Sequence, residues 1–194
     1  MGSPGPPGDV TVREAGPGDA AAVARVHVES WRGAYADLLP RAVLDGLSVE
    51  RRAVGWARTL DPSSPERVVV AERDDRIVGF AHVGPHHDSD LDTHVGALSA
   101  LYVEPGRWGS GVGARVHDAG LERLAIDGYG RIVLWMLSTN RRAAAFYRRR
   151  GWVADGRLRL QQFGGTVVLD RRLARRPPAV RPPAAGQIFS RPSQ

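Results

Sequence analysis

The chain has 194 residues, 42% of them apolar, no cysteine and a formal net charge of +6; this suits one domain with its own core and excludes disulfides, thiolate metal ligands and a cysteine nucleophile. The charge is unevenly placed, because from Arg171 onward there are 6 arginines and no acid, while the residues before it balance 21 arginines against 21 acids. A neutral body speaks against a nucleic-acid partner for the folded part and leaves the tail as the one segment with that chemistry.

Residues 1–9, within "MGSPGPPGDV", read as a flexible N-terminus without the charged and apolar regions of a signal peptide. A first strand is expected near Val10 to Arg13, then a helix capped by Asp19 with Val23, Val26, His27 and Trp31 on one face. A second helical region follows Pro40, breaks near Gly46 and ends about Leu60, where "DPSSPE" closes the helical part. Three strands come next: "RVVVAE" from Arg67, "RIVGFAHV" from Arg76 and "VGALSALYV" from Val95, with Asp74-Asp75 as the hairpin turn between the first two. Beyond a glycine-rich stretch, a helix carries Val112, Val116, Ala119 and Ile126 on one face. The segment "RIVLWMLS" reads as a buried strand leading to Asn140 and a short helix with Ala143, Phe146 and Tyr147, which Gly151 stops. Two last strands flank "FGG" at Phe163 to Gly165, and residues 10–174 are expected to form the domain. Residues 175–194, rich in arginine and proline, are expected to be disordered. No apolar run approaches the roughly 18 residues of a membrane span, so a soluble, cytoplasmic protein without a membrane partner is expected. This order of elements makes an α+β domain with a mixed sheet.

Gly109, Gly111 and Gly113 stand at alternate positions just before a helix. Glycine loses more backbone freedom on folding than any other residue, so three in a row of alternate positions need a local reason. Without Cβ atoms the chain can turn successive N–H groups towards one point, and a helix start adds unpaired N–H groups with partial positive charge. Such a surface binds phosphate. The alternatives are an ordinary strand–helix turn and a Rossmann fingerprint, which Gly109, Gly111 and Ala114 fit but which lacks its ribose-binding acid after the next strand; a Walker loop is excluded because no Gly-Lys-Ser/Thr follows. Asn140 alone reads as a helix cap and Tyr147 alone as a core aromatic. The segment "HHDSDLDTH", residues 86–94, reads as a solvated turn beside a substrate mouth. A loose metal site is its alternative, and Asp88, Asp90 and Asp92 would suit a cationic substrate.

Taken together these motifs carry a resemblance. "LYVEPGRWGSGVGARV" resembles the pyrophosphate loop of the GNAT superfamily of N-acyltransferases, and "NRRAAAFYRRRGW", residues 140–152, resembles its second cofactor segment; "SWRGAYADLLP" at Ser30 to Pro40 is similar to a helix–loop stretch in some members. The resemblance covers about residues 10–173. It implies a GNAT-like three-layer α+β fold, with a mixed, mostly antiparallel sheet of about seven strands flanked by helices. The sheet would be splayed between the fourth strand, ending at Val103, and the fifth, ending at Ser138. It implies an acetyltransferase that uses acetyl-CoA as cosubstrate, needs no metal, and passes an acetyl or other acyl group to a primary amine by direct attack in a ternary complex. Pantetheine would run along Leu101, Tyr102 and Val103, the N–H groups of Trp108, Gly109, Ser110, Gly111, Val112 and Gly113 would hold the pyrophosphate, and Asn140, Ala143, Phe146 and Tyr147 would complete the cofactor site. The catalytic roles fall to Tyr147, whose phenol suits the departing thiolate, and to the Val103 N–H, which suits the oxyanion. Trp31, Tyr35 and His82 would wall the acceptor, and Arg107, Arg141 and Arg142 are candidates for the phosphates.

Two departures stand out. Trp108 occupies a position where Gln or Arg is usual, and Ala97 one where many members place a glutamate that takes the amine proton through water. His82, Glu104, a member of residues 86–94 or a water chain is left as the base. The partners implied are acyl-CoA and a small-molecule or peptide amine, and a homodimer is left open. Two other classes stand beside the enzyme: a non-catalytic acyl-CoA sensor, and a nucleic-acid-associated protein acting through its basic tail.

Overall fold

Two tight turns set the hairpins of the sheet. Asp74 and Asp75 both adopt positive φ, 51° and 56°, and Gly164 and Gly165 do the same at 51° and 85°, the geometry that two-residue hairpins favour because its twist matches that of the strands. The computed structural model describes residues 9–179; residues 1–8 of the expected flexible start and 180–194 of the expected tail lie outside the described residues. In chain order the elements are β1 (Thr11–Glu14), α1 (Ala20–Ala34), α2 (Arg41–Asp45), α3 (Val49–Thr59), β2 (Arg67–Arg73), β3 (Arg76–Pro85), β4 (Val95–Val103), α4 (Val112–Ile126), β5 (Arg131–Leu137), α5 (Arg141–Arg149), β6 (Val153–Phe163) and β7 (Thr166–Arg175). The last strand reaches Arg175, which pairs with Ile132, so ordered chain continues past residue 174.

The seven strands form one sheet in the order β1-β2-β3-β4-β5-β7-β6. Every neighbour is antiparallel except β4 and β5, whose parallel register covers only Val95–Arg131, Gly96–Ile132 and Ala97–Val133. Beyond Ala97 the two strands part. The register jumps there, with Ala100 opposite His82 and Leu98 opposite Val83, so Ser99 is an extra residue in β4. A bulge of this kind bends its strand and increases the local twist, and it lies two residues after the last β4–β5 pair. The expected splay between the fourth and fifth strands is therefore present, with a local cause.

Alternation of side chains on β2 and β3 feeds two cores. Val68, Val70 and Phe80 pack with Val23, Val26, Trp56 and Leu60 of the α1–α3 layer, while Ala71, Ala81 and Val83 pack with Val116, Leu121, Leu124 and Ile132 under α4. The buried stripe of α4 differs from the expected one: Val112, Val116, His117, Gly120, Leu121 and Leu124 face inward, and Ile126 is 65% exposed. Val112 to Leu124 follows the helical period, whereas Ile126 falls off that stripe on the last turn.

Two histidines are buried neutral. His27 accepts at Nδ1 from the Trp56 indole at 3.2 Å, and burial, helped by the nearby Arg52 and His82 charges, pushes its pKa down to about 3. His117 accepts at Nε2 from the Trp152 indole at 2.9 Å, so its Nδ1 carries the proton and donates to Asp118 at 2.7 Å; burial pushes it down to about 4 despite Asp118. Both values lie below the roughly 6.5 of an unfolded chain, which therefore binds more protons as pH falls through 6.5, and stability drops with it. Urea unfolding at pH 8 and pH 5 is expected to differ by about 2 kcal/mol for each of these groups. His117→Gln, which can accept from Trp152 but cannot charge, should remove roughly half of that pH dependence.

Candidate active site

The parting of β4 and β5 opens a cleft of about 500 Å³. Its walls are Leu98 to Val103 on one side and Trp135 to Leu137 with Asn140, Ala143, Phe146 and Tyr147 on the other; Arg107, Trp108, Gly109, Gly111, Gly113, Ser30 and Tyr35 complete it. Neighbouring residues of a strand direct their N–H groups to opposite sides. The Glu104 N–H bonds to Val78 in β3 at 3.0 Å, so that of Val103 points to the side from which β5 has withdrawn. The Val103 carbonyl is already taken: the Ser30 hydroxyl and the Trp108 indole both donate to it at 2.9 Å.

At one end of the cleft lies the glycine loop. Gly109 and Gly111 have φ of +80° and +88°, a region that costs other residues roughly 1–2 kcal/mol. Trp108 and Ser110 spend their N–H groups on the turn, to Pro105 and Arg107, whereas those of Gly109, Gly111, Val112 and Gly113 have no partner among the described residues. The ring of donors expected over residues 108 to 113 is thus four groups, not six. Gly113 already belongs to α4 and has no unusual φ; a Cβ there would stand 3.6 Å from Val103 Cγ2 and 3.8 Å from Phe146, in ordinary contact. Among the described residues, Arg107, Arg142 and Arg149 are the charged ones lining the cleft, and no acid lines it. Arginines with free amides make an anion-binding end.

Trp108 turns back onto α1. A Cβ on Gly33 would meet Pro105 at 2.7 Å and the Trp108 ring at 3.1 Å, so only glycine allows this approach. Arg142, from the start of α5, lies 3.3 Å from the centre of the same ring, and the pair spans the two lips of the cleft. Asn140 caps α5 by accepting from Ala143 N–H at 3.0 Å. Tyr147 is packed among Phe146, His117 and Trp152, and burial pushes its phenol well above the ordinary value.

The other expected positions divide. Tyr35 reaches the cleft, with its phenol raised by burial and close to that of Tyr102. Trp31 stands behind it, 5.0 Å from the Tyr35 ring and 5.8 Å from Phe163. His82 is not brought to the cleft; it pairs with Glu66 and packs edge-on against Trp56 at 5.2 Å. Of the aspartates of residues 86–94, Asp88 and Asp90 are paired with Arg172, while Asp92 is exposed and accepts from the His94 N–H at 2.8 Å; none lines the cleft. Arg172, only 3% exposed, donates to Asp88 at 3.1 Å, to both oxygens of Asp90 at 2.8 and 2.9 Å, and to Asp155 at 2.8 Å. The Trp135 indole also donates to Asp88. Among the described residues no three His, Cys, Asp or Glu side chains converge as a metal set.

Sequence reasoning missed Ser30, Arg149 and Trp135, all of which line the cleft. Trp135 carried a readable signal, an aromatic inside the strand pattern "RIVLWMLS". The contact of Ser30 with Val103 spans 73 residues and had none.

The sheet parted at its one parallel pair, with free amides at a helix start beside it, is the GNAT fold. A family model described as the acetyltransferase (GNAT) family matches residues 24–152, and the chain belongs to that family. YuaI of Bacillus subtilis strain 168, an uncharacterized N-acetyltransferase, is 31% identical over 134 residues, 68% of this chain and 73% of that one. An uncharacterized N-acetyltransferase of Archaeoglobus fulgidus is 31% identical over 159 residues, 80% of this chain and 97% of its own length. Among solved structures, PaiA N-acetyltransferase of Thermoplasma acidophilum, in complex with coenzyme A, superposes with a TM-score of 0.68 over 87% of this chain and 99% of that one at 16% identity, a likeness of fold. No described helix is long and apolar enough to cross a membrane.

The two kinds of loop glycine should respond differently to a methyl group. Gly111→Ala is expected to lower stability to urea by roughly 1–2 kcal/mol through its positive φ, whereas Gly113→Ala, inside a helix, should be neutral or stabilising by up to about 1 kcal/mol.

Proposed function

We propose that the protein transfers an acetyl group from acetyl-CoA to a primary amine by direct attack in a ternary complex. The observation that carries this reading is the open edge of β4 beside Tyr147, joined to an anion-binding loop at one end of the same cleft. Four unpartnered amides and three arginines suit a diphosphate and a further phosphate. The unpaired edge along Leu101 and Val103 suits an extended chain that carries amides of its own, as pantetheine does. The names of the relatives and the coenzyme A bound to the Thermoplasma neighbour support the same cosubstrate.

Three groups then have roles. The Val103 N–H is a donor for the oxygen that gains charge when the amine attacks. Tyr147 stays protonated throughout the working pH range and donates a hydrogen bond to the departing sulfur. Its raised pKa makes full proton transfer to a thiolate unfavourable, so its contribution is electrostatic. Holding amine and thioester together supplies the larger share of the rate, since well-oriented effective molarities reach roughly 10⁵ M or more. Tyr35 and Trp31 form the acceptor side together with Tyr102 and Phe163, a wall of rings that suits an amine carried on an apolar or aromatic body.

Calorimetry with coenzyme A, followed by thiol release from acetyl-CoA with phenethylamine, spermidine, glycinamide and an alanine-headed peptide, tests the reading. Binding together with amine-dependent thiol release is the expected result; binding without turnover would leave a sensor. Tyr147→Phe should lower kcat roughly 10²-fold with coenzyme A affinity unchanged within about twofold, and full retention of kcat would remove the phenol from the chemistry.

A further inference from the structure

The bases offered by the sequence are held by other partners or stand away from the cleft, which none of residues 86–94 lines. His82 is bound to Glu66, Glu104 is held by Arg25 and Arg76, and Asp88 and Asp90 are held by Arg172. His86 and Asp92 bond within their own loop. One acid on the acceptor face is different. Asp170 of β7 stands opposite Leu137 of β5 and Arg159 of β6, and directly opposite residues share a face of the sheet. Leu137 and Trp135, on that face, both line the cleft. The Asp170 residue is only 6% exposed. Arg159 donates to its Oδ2 at 3.2 Å, whereas Oδ1 has no partner among the described residues and is not among the buried atoms sealed without one. Asp170 does not itself line the cleft; it stands next to Leu137, its cross-strand neighbour, which does, and Tyr35, just past α1, has a phenol raised first by burial and then by the Asp170 charge. Burial pushes the Asp170 carboxyl above its ordinary range, against the pull of Arg159. The groups facing this carboxylate and its surroundings are Arg159 from β6, Tyr35 from just past α1 and, beyond Tyr35, Arg142 from α5.

We propose that Asp170 receives the ammonium group of the acceptor and takes one proton from it, the task left without a side chain at Ala97. The inference rests on the acetyl-transfer reading above. The acceptor enters as R–NH3+ and gives one proton to the Asp170 carboxylate, which passes it to water. The freed electron pair forms the C–N bond, and the C–S bond breaks as the carbonyl re-forms. The second proton leaves nitrogen through solvent, and the thiolate ends as the thiol, so that R–NH3+ and acetyl-CoA become the N-acetyl amine, coenzyme A and one released proton. A half-buried cation next to an unpaired carboxylate oxygen is a charge-assisted contact, and a carboxyl raised by burial is a better proton acceptor than an exposed one.

The test uses the full chain with Asp170→Asn, Asp170→Glu and Arg159→Gln. Acceptors are the four protonated amines above and hydroxylamine, which is uncharged at neutral pH. Asp170→Asn should lower kcat/KM roughly 10²-fold or more for the amines and less than about threefold for hydroxylamine, with coenzyme A affinity and thermal midpoint retained. Asp170→Glu should recover part of the loss. Arg159→Gln should stay active while the acidic limb of the kcat/KM profile moves to higher pH, because losing a neighbouring cation raises the carboxyl further. Equal loss with both kinds of acceptor, or the same defect in Asp170→Asn and Arg159→Gln, would make Asp170 a positioning partner of Arg159 and overturn the proposal. Unchanged amine turnover in Asp170→Asn would overturn it too. A wild type silent towards every amine would overturn the acetyl-transfer reading, and this one with it.

Discussion

Backbone polar groups left facing one another across a gap are what the rest of this molecule is arranged around. A sheet normally satisfies each N–H and C=O in its ladder, and leaving one unmade and buried costs about 1–3 kcal/mol. Here β4 and β5 pair over three residues and then separate. The separation persists because its two edges are held from behind: β4 by its full register with β3, and β5 by its six-residue register with β7. Ser99, inserted at the point of departure, turns one edge away from the other. The carbonyl of Val103 is capped by Ser30 and Trp108, while the N–H on the same residue is left towards the gap. A site for an extended, amide-bearing chain is thus a missing strand pairing made permanent.

Charge is distributed along that gap by the same packing. At the glycine loop the positive φ of Gly109 and Gly111 frees amides at the start of α4, and Arg107, Arg142 and Arg149 line the same cleft. On the other half of the sheet, most acids are consumed internally. Arg172 gathers Asp88, Asp90 and Asp155, which ties the loop before β4 to β7 and so braces the two half-sheets across their join. A guanidinium this deeply buried is tolerated because it makes four hydrogen bonds to three carboxylates, two of them bidentate to Asp90. Beside the cleft stand the rings of Trp31, Tyr35, Tyr102 and Phe163 and, next to Leu137, the Asp170 carboxylate, which is paired with Arg159 at one oxygen.

Much of this was legible in the chain itself. The apolar period of α1, the alternating strands β2 to β5, the Asp74-Asp75 turn and the cap at Asn140 all follow local rules, because capping, turn geometry and side-chain alternation depend on residues within one or two turns of each other. Ile126 was misplaced because the apolar period of α4 fits two overlapping faces, and only packing against the sheet selects the one through His117, Leu121 and Leu124. His82, Asp88 and Asp90 have the right chemistry for a base or a cation site. Their partners, Glu66 and Arg172, lie 16 or more residues away, and no local pattern announces them.

The sequence by itself determined the family, through the spacing of Gly109, Gly111 and Gly113 against Asn140 and Tyr147, since a phosphate-binding turn and a capped helix are written in adjacent residues. Only the tertiary structure decided which of the loop amides stay unpartnered, that Trp108 folds back onto Gly33 and under Arg142, and that Asp170 stands beside Leu137 with one oxygen paired to Arg159. Those outcomes depend on which groups meet after the sheet has formed and which hydrogen bonds are already taken, and that competition is settled by contacts made across the whole length of the chain.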